Sequence, residues 1–314
     1  MRKSGIAFLG AVAVLLQTAL TLPNVVWAQS PPAAQSEEAL LAESNAAWEA
    51  GEKAGTSGPA DIPLIDQAVL KLSADYFFIP KAEGMRIMRS LGNTINEPTF
   101  VGLVVGTKQN DQWIVVARYI KEGYIKDDEA KDWKADELLQ NLKDGTEESN
   151  KDRVARGFRE LEVLGWVEKP AYDSATHRLV WSLLAQQKGQ PDSAQKSINY
   201  NTYALGRDGY FSLNLLTTSS RVNADKGAAH ELLAALSYKA GKGYEDFDAA
   251  TDHIAEYGIA ALIGGVVAKK LGLFALISVF VLKFAKVIGL AALALGGGIW
   301  NFFRRKPKNS SSNA

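Results

Sequence analysis

No acidic residue follows Glu256, and residues 259–303 are apolar apart from scattered polar residues and Lys269, Lys270, Lys283 and Lys286. A segment so long and so poor in charge finds no place on a water-exposed surface, so it must lie in lipid or inside protein. The best single span is residues 284–303. It opens at Phe284, keeps Lys286 close enough to its end to snorkel, and places Trp300 at interfacial depth. Arg304, Arg305 and Lys306 follow in a basic tail, residues 304–314, that reads as a cytoplasmic stop signal. The upstream run carries Lys269 and Lys270 at its middle, where charge is costly in hydrocarbon. It therefore lies in the interface or pairs with the span as a hairpin. A hairpin would leave the basic tail outside, against the positive-inside rule, so one span is the expectation. The competing arrangement is a buried hairpin of helices in a soluble body.

The other end of the chain agrees. Met1, Arg2 and Lys3 precede an apolar run, and Val26 and Ala28 fit the −3 and −1 positions of a cleavage site. Residues 1–28 are therefore expected to be a signal peptide, an uncleaved anchor being the alternative. The formal net charge of +0 is then a cancellation. Setting aside eight basic residues after Glu256 together with Arg2 and Lys3 leaves 35 − 8 − 2 = 25 basic against 35 acidic residues, a body of about −10. Such a body repels phosphate backbones, which excludes a general nucleic-acid binder. There is no cysteine, so disulfides, thiolate metal sites and cysteine nucleophiles are excluded as well. The expected location is the inner (plasma) membrane, with the main domain periplasmic and the bilayer as one partner.

Between the ends, residues 29–60 read as a Pro/Ala/Gln linker and a Glu/Ala-rich helix, and residues 61–253 as the acidic exported domain. Residues 254–303 form the anchoring region. Short strands are expected at 68–72 and 76–79, a helix at 81–91, and a hairpin from 100–105 and 113–120. Solvent-facing helix is expected within 134–158. Strands follow at 161–169, 177–186, 197–206 and 210–217, the last two joined by the hairpin signal Asp208-Gly209. A helix over 222–236 and an edge strand at 237–239 complete the domain. Hairpins dominate and helices seldom alternate with strands, so the fold class is α+β: an antiparallel β-sheet flanked by helices.

Two constellations carry chemistry. In GWVEKPAYDSATHRLVW, alternation puts His177, Leu179, Trp181 and Leu183 on one strand face, and Glu162, Leu164, Trp166 and Glu168 on one face of the strand before. Tyr172 and Asp173 lie in the connection. Asp173 and His177 would be a carboxylate–imidazole pair able to orient a general base, with Glu168 as a further acid. Against this, Asp173 also fits as a turn cap and His177 as a strand-start residue bonded to backbone, and no nucleophile accompanies them. In SINYNTYALGRDGYFSLNLL, Asn199, Asn201 and Tyr203 share one face. These could hydrogen-bond a glycan while Trp166 or Trp181 stacks on it, or form an ordinary solvated sheet face. With only His177, His230 and His253 in the chain, no metal site and no cofactor are expected.

Together with KEGYIKDDEA (residues 121–130), YEDFDAATD (residues 244–252) and the apolar tail with paired lysines, these runs resemble the bacterial family of unknown function DUF2167 over residues 66–305. The resemblance implies an exported domain with a C-terminal membrane anchor and supplies no catalytic residues. The order of elements is also loosely similar to the sheet-and-helix domains of the PsbP and Mog1 type, mostly binding modules. The functional expectation is a non-enzymatic binding or scaffolding module of the cell envelope, with another envelope protein or a cell-wall glycan as partner. The alternatives are an envelope glycan hydrolase using Asp173 and His177, and an accessory subunit of a membrane transporter.

Overall fold

The structure is a computed structural model and describes residues 37–264 apart from 92, 94, 156–158 and 192–195. The expected signal peptide and the expected span with Phe284, Trp300, Arg304, Arg305 and Lys306 lie outside the described residues. Among the described residues no helix is long and apolar enough to cross a membrane.

The chain runs through α1 (Glu37–Ala54), β1 (Thr56–Ser57), β2 (Ala60–Leu64), β3 (Ala68–Leu72), β4 (Tyr76–Pro80), α2 (Lys81–Ser90), β5 (Phe100–Gly106), β6 (Ile114–Ile120) and β7 (Tyr124–Lys126). After a 3-10 turn (Asp128–Lys131) come α3 (Ala135–Ala155), β8 (Leu161–Asp173), β9 (Arg178–Gln187), β10 (Ser197–Leu205), β11 (Tyr210–Thr218), α4 (Val222–Ala235) and β12 (Leu236–Tyr238). A second 3-10 turn (Tyr244–Asp246), β13 (Ile254–Gly258) and the single turn α5 (Ala261–Gly264) close the described part.

Eight strands form one antiparallel sheet in the order β1-β4-β5-β6-β11-β10-β9-β8. Fully apolar runs become its central strands. All seven positions of β5 are buried, as a run covered on both faces requires. The rear face carries Val104, Val115, Ala117, Phe211, Leu213, Leu215 and Tyr200, packed under α4 and the small sheet β12-β3-β2. Residues of the opposite parity face forward. Phe77, Ile79, Leu103, Val116 and Leu216 pack with Ile87 and Met88 of α2 and Ala47 of α1. Farther along the same face, Leu179, Trp181, Leu205 and Tyr210 pack with Leu138 and Leu142 of α3 and with Ile125, Ile259, Leu262 and Ile263. The front core is thus split into two apolar halves.

Turn chemistry fixes the register. The Asp208-Gly209 signal becomes the tip of the β10–β11 hairpin, with Leu205 opposite Tyr210. Gly209 has φ 152°, and a Cβ there would lie 2.0 Å from the Ile120 carbonyl oxygen, so no side chain fits. The strands at 68–72 and 76–79 form as expected but do not pair with each other. β3 joins β2 and β12, while β4 joins β1 and β5. The start of the expected anchoring region also folds into the body: Ile254–Gly258 pairs in parallel with β7, and Ile259 and Ile263 are buried.

Candidate functional site

Between the two apolar halves of the front face lies a polar island. On β6 the apolar run is interrupted by Arg118, whose partner on β11 is Ser212; Ser212 in turn faces Tyr203 on β10. One row along, Asn214 faces Asn201, and one row farther Leu216 faces Asn199. Apolar residues flank the rows on both sides: Phe100 beside Arg118, and Leu179, Trp181 and Leu183 beside Tyr203, Asn201 and Asn199. Such side chains sit about 5 Å apart across neighbouring strands. Asn201 and Ser212 are each 7% exposed, deep for amide and hydroxyl groups in the middle of a sheet.

The island is only partly satisfied by the protein. Asn214 Nδ2 donates to Asn201 Oδ1 at 3.1 Å and Asn201 Nδ2 to the Asn199 carbonyl at 3.2 Å. Asn214 Oδ1 is buried and has no hydrogen-bond partner among the described residues. Burial pulls the Arg118 guanidinium down to about 10, with a small opposing influence from Tyr203. The unpaired Asn214 oxygen leaves polar capacity in a dry environment, which is costly to a fold that gains nothing from it.

Both tryptophans beside the island spend their indole N–H on the protein's own backbone, and Trp181 is covered as well. Trp181 is 3% exposed and donates Nε1–H to the Leu262 carbonyl at 3.1 Å. Trp166 donates to the Ala135 carbonyl at 3.2 Å, and the two indoles meet edge to face at 6.3 Å.

His177 precedes β9 in the left-handed region, φ 53°, which histidine tolerates better than most side chains. Its Nε2 lies 2.7 Å from Glu245 Oε1, and its Nδ1 lies 3.0 Å from the Tyr172 hydroxyl and 3.4 Å from Asp127 Oδ2. Tyr172 donates to Asp127 at 2.6 Å, and burial together with that carboxylate drives its hydroxyl far above the usual tyrosine range. The imidazole stacks on Tyr244 at 4.0 Å, and Tyr124 sits between Tyr244 and Phe247. Asp173 is engaged inside its own turn, accepting from the Thr176 hydroxyl at 2.7 Å and the Ala175 N–H at 2.9 Å, which hold its carboxyl below the usual range. The carboxylates beside His177 are therefore Asp127 and Glu245.

Glu168 lies on the opposite face of the sheet from Trp166. β8 gains a bulge between Trp166, opposite Leu183, and Glu168, opposite Ser182, so strict alternation fails there. The side chain reaches Lys226 of α4 at 2.9 Å and comes within 3.8 Å of His230, whose Nε2 bonds the Tyr200 hydroxyl at 2.7 Å. Burial pushes Glu168 up, but Lys226 and Tyr200 outweigh it and hold the carboxyl below its ordinary value. Sequence reasoning selected Asn199, Asn201 and Tyr203 but missed Arg118, Ser212, Asn214 and Asp127. An arginine inside the apolar run of β6 was the available signal for the first.

Among the described residues no group of three or more His, Asp and Glu side chains is placed to hold a metal ion. Residues 56–296 match the family described as "Protein of unknown function (DUF2167)". A comparison with curated proteins gives no match. Among solved structures, the solution structure of cyanobacterial PsbP (CyanoP) from Synechocystis sp. PCC 6803 is similar at a TM-score of 0.32 and 10% identity, over 59% of this chain and 91% of that one. The matched span takes in every residue of the polar island and of the His177 cluster, and the chain belongs to the DUF2167 family.

Proposed function

We propose that this protein is a non-enzymatic binding module, exported and tethered to the inner membrane by its C-terminal segment, whose polar island on β6, β11 and β10 holds the ligand. The observation that carries the reading is the island itself. Amide and hydroxyl side chains occupy the centre of a sheet, and one of them, Asn214, keeps a buried oxygen without a partner among the described residues, where apolar residues would stabilise the fold better. Rows of amides and hydroxyls suit a polar, hydroxyl-bearing ligand such as a cell-wall glycan. The acid–base candidates support binding over hydrolysis because they do not converge: Asp173 serves its turn, Glu168 faces α4, and His177 sits between Asp127 and Glu245. The export and tether rest on the apolar ends and the charge segregation of the sequence.

Photocrosslinking in cells tests the site. A benzophenone residue in place of Tyr203 should capture a specific adduct, while the same residue at the exposed Ala234 of α4, on the rear side, should not. Identical adducts from both positions, or none from Tyr203, would contradict the reading. For the tether, a reporter fused after Ala314 should be active only in the cytoplasm.

A further inference from the structure

We infer that residues 254–264, β13 with α5, form a strap over the Tyr203 end of the polar island, and that the ligand enters when this strap lifts. This rests on the island being the ligand site and adds how a site that is closed over in the structure is opened.

The strap lies against the island's own residues. Alternation puts Tyr210, Ser212 and Asn214 on one face of β11, and Tyr203 stands across from Ser212. The Tyr257 hydroxyl of β13 meets that of Tyr210, whose ring lies edge to face with Tyr203 at 5.8 Å. Ile259, Leu262 and Ile263 pack with Leu179 and Trp181, and Trp181 is directly beside Asn201. The strap's backbone hold is slight. β13 pairs with β7 alone, at Ile254–Tyr124 and Gly258–Lys126 with an irregularity between them, and a two-stranded sheet is marginal by itself. One exposed carboxylate adds a latch, because Glu129 Oε1 accepts the Ala260 N–H at 2.8 Å. Gly258 leaves room for it: a Cβ there would lie 2.4 Å from the same oxygen. The root is firmer, with Arg207 holding Asp252 through two bonds at 2.7 and 2.9 Å. Local opening draws on the least stable elements of a fold, and the eight-stranded sheet is complete without the strap. The strap therefore pivots at its root and uncovers Trp181 and Tyr203 without breaking that sheet.

The test uses the absence of cysteine, which makes any introduced thiol unique. In the full-length protein Ser212→Cys places one inside the island, and Ser182→Cys places one at a fully buried position on the rear face. Glu129→Ala should speed labelling of the Ser212→Cys protein by methyl methanethiosulfonate about fivefold, the worth of one exposed hydrogen bond. Gly258→Ala, which pushes the Glu129 carboxylate off Ala260, should do the same. Asn150→Ala unties α3 from β8 and weakens the fold away from the strap, so it should speed labelling of the Ser182→Cys protein and leave the Ser212→Cys rate unchanged. In cells, Glu129→Ala should raise the adduct yield from a benzophenone residue in place of Tyr203 by about the same factor. Unchanged labelling in both latch variants, or faster labelling of Ser212→Cys in Asn150→Ala, overturns the inference. Faster labelling with an unchanged adduct yield removes the gating role and leaves the site standing. No adduct with or without Glu129 removes the site, and the inference with it.

Discussion

Ile65 shows how a single residue's conformation separates structural need from other uses. It sits at the β2–β3 turn with φ 50°, a conformation that is a genuine outlier for a β-branched side chain, and it is 47% exposed. Asparagine adopts that conformation more readily, so Ile65→Asn should stabilise the protein by about 1 kcal/mol in urea unfolding. Asn150 is the opposite case. Its buried amide donates to the Leu161 carbonyl and accepts from the Leu161 N–H, both at 2.8 Å, tying α3 to the start of β8. Asn150→Ala strands both backbone groups and should cost about 3 kcal/mol by the same measurement. Asp173 was legible as a turn residue because its bonds are local. The carboxylates that meet His177 were not, since Asp127 and Glu245 are distant in sequence and no short-range pattern encodes their approach.

Local signals made the elements legible in proportion to their length. α2, α4 and the β10–β11 hairpin stand where periodicity and the Asp-Gly turn put them. β1, β7 and β13 are two to five residues long and gain their stability from partners farther off in sequence, so they carry no such signal. The bulges of β8 escaped for a related reason: alternation assumes a regular ladder, and an extra residue between Trp166 and Glu168 reverses the face of everything that follows. The segment after β12 is held at two points. Arg207 grips Asp252 through two bonds at 2.7 and 2.9 Å, which hold that carboxyl down at about 2 against an ordinary 3.8. A depressed carboxyl contributes stability above its unfolded value and loses it as the pH falls through the folded one. Asp252→Asn should therefore melt below the wild type at pH 7, and the gap should close as the pH falls from about 4 to about 2. The second point is the apolar turn at α5, where Ile263 is 1% exposed under the Trp181 cluster. Ile263→Ala should cost about 3 kcal/mol and shift tryptophan fluorescence in the folded state.

Across the whole molecule, the acidic body and the basic, apolar end of the sequence divide the tasks of binding and attachment in the proposed reading. The face of Asn199, Asn201 and Tyr203 could be read from one strand alone, because alternation fixes it. Arg118, Ser212 and Asn214 join it only through the registers of β6 with β11 and of β11 with β10, and β6 and β11 are joined in space across a long insertion. That junction is where the front core changes from one apolar half to the other and where the polar side chains collect. If they serve a ligand rather than the fold, replacing a facing pair by apolar residues of similar shape should cost no stability. The melting temperature of the Asn201→Leu/Asn214→Leu double variant measures this directly. The account predicts a value at or above that of the wild type, and a fall of several degrees would contradict it.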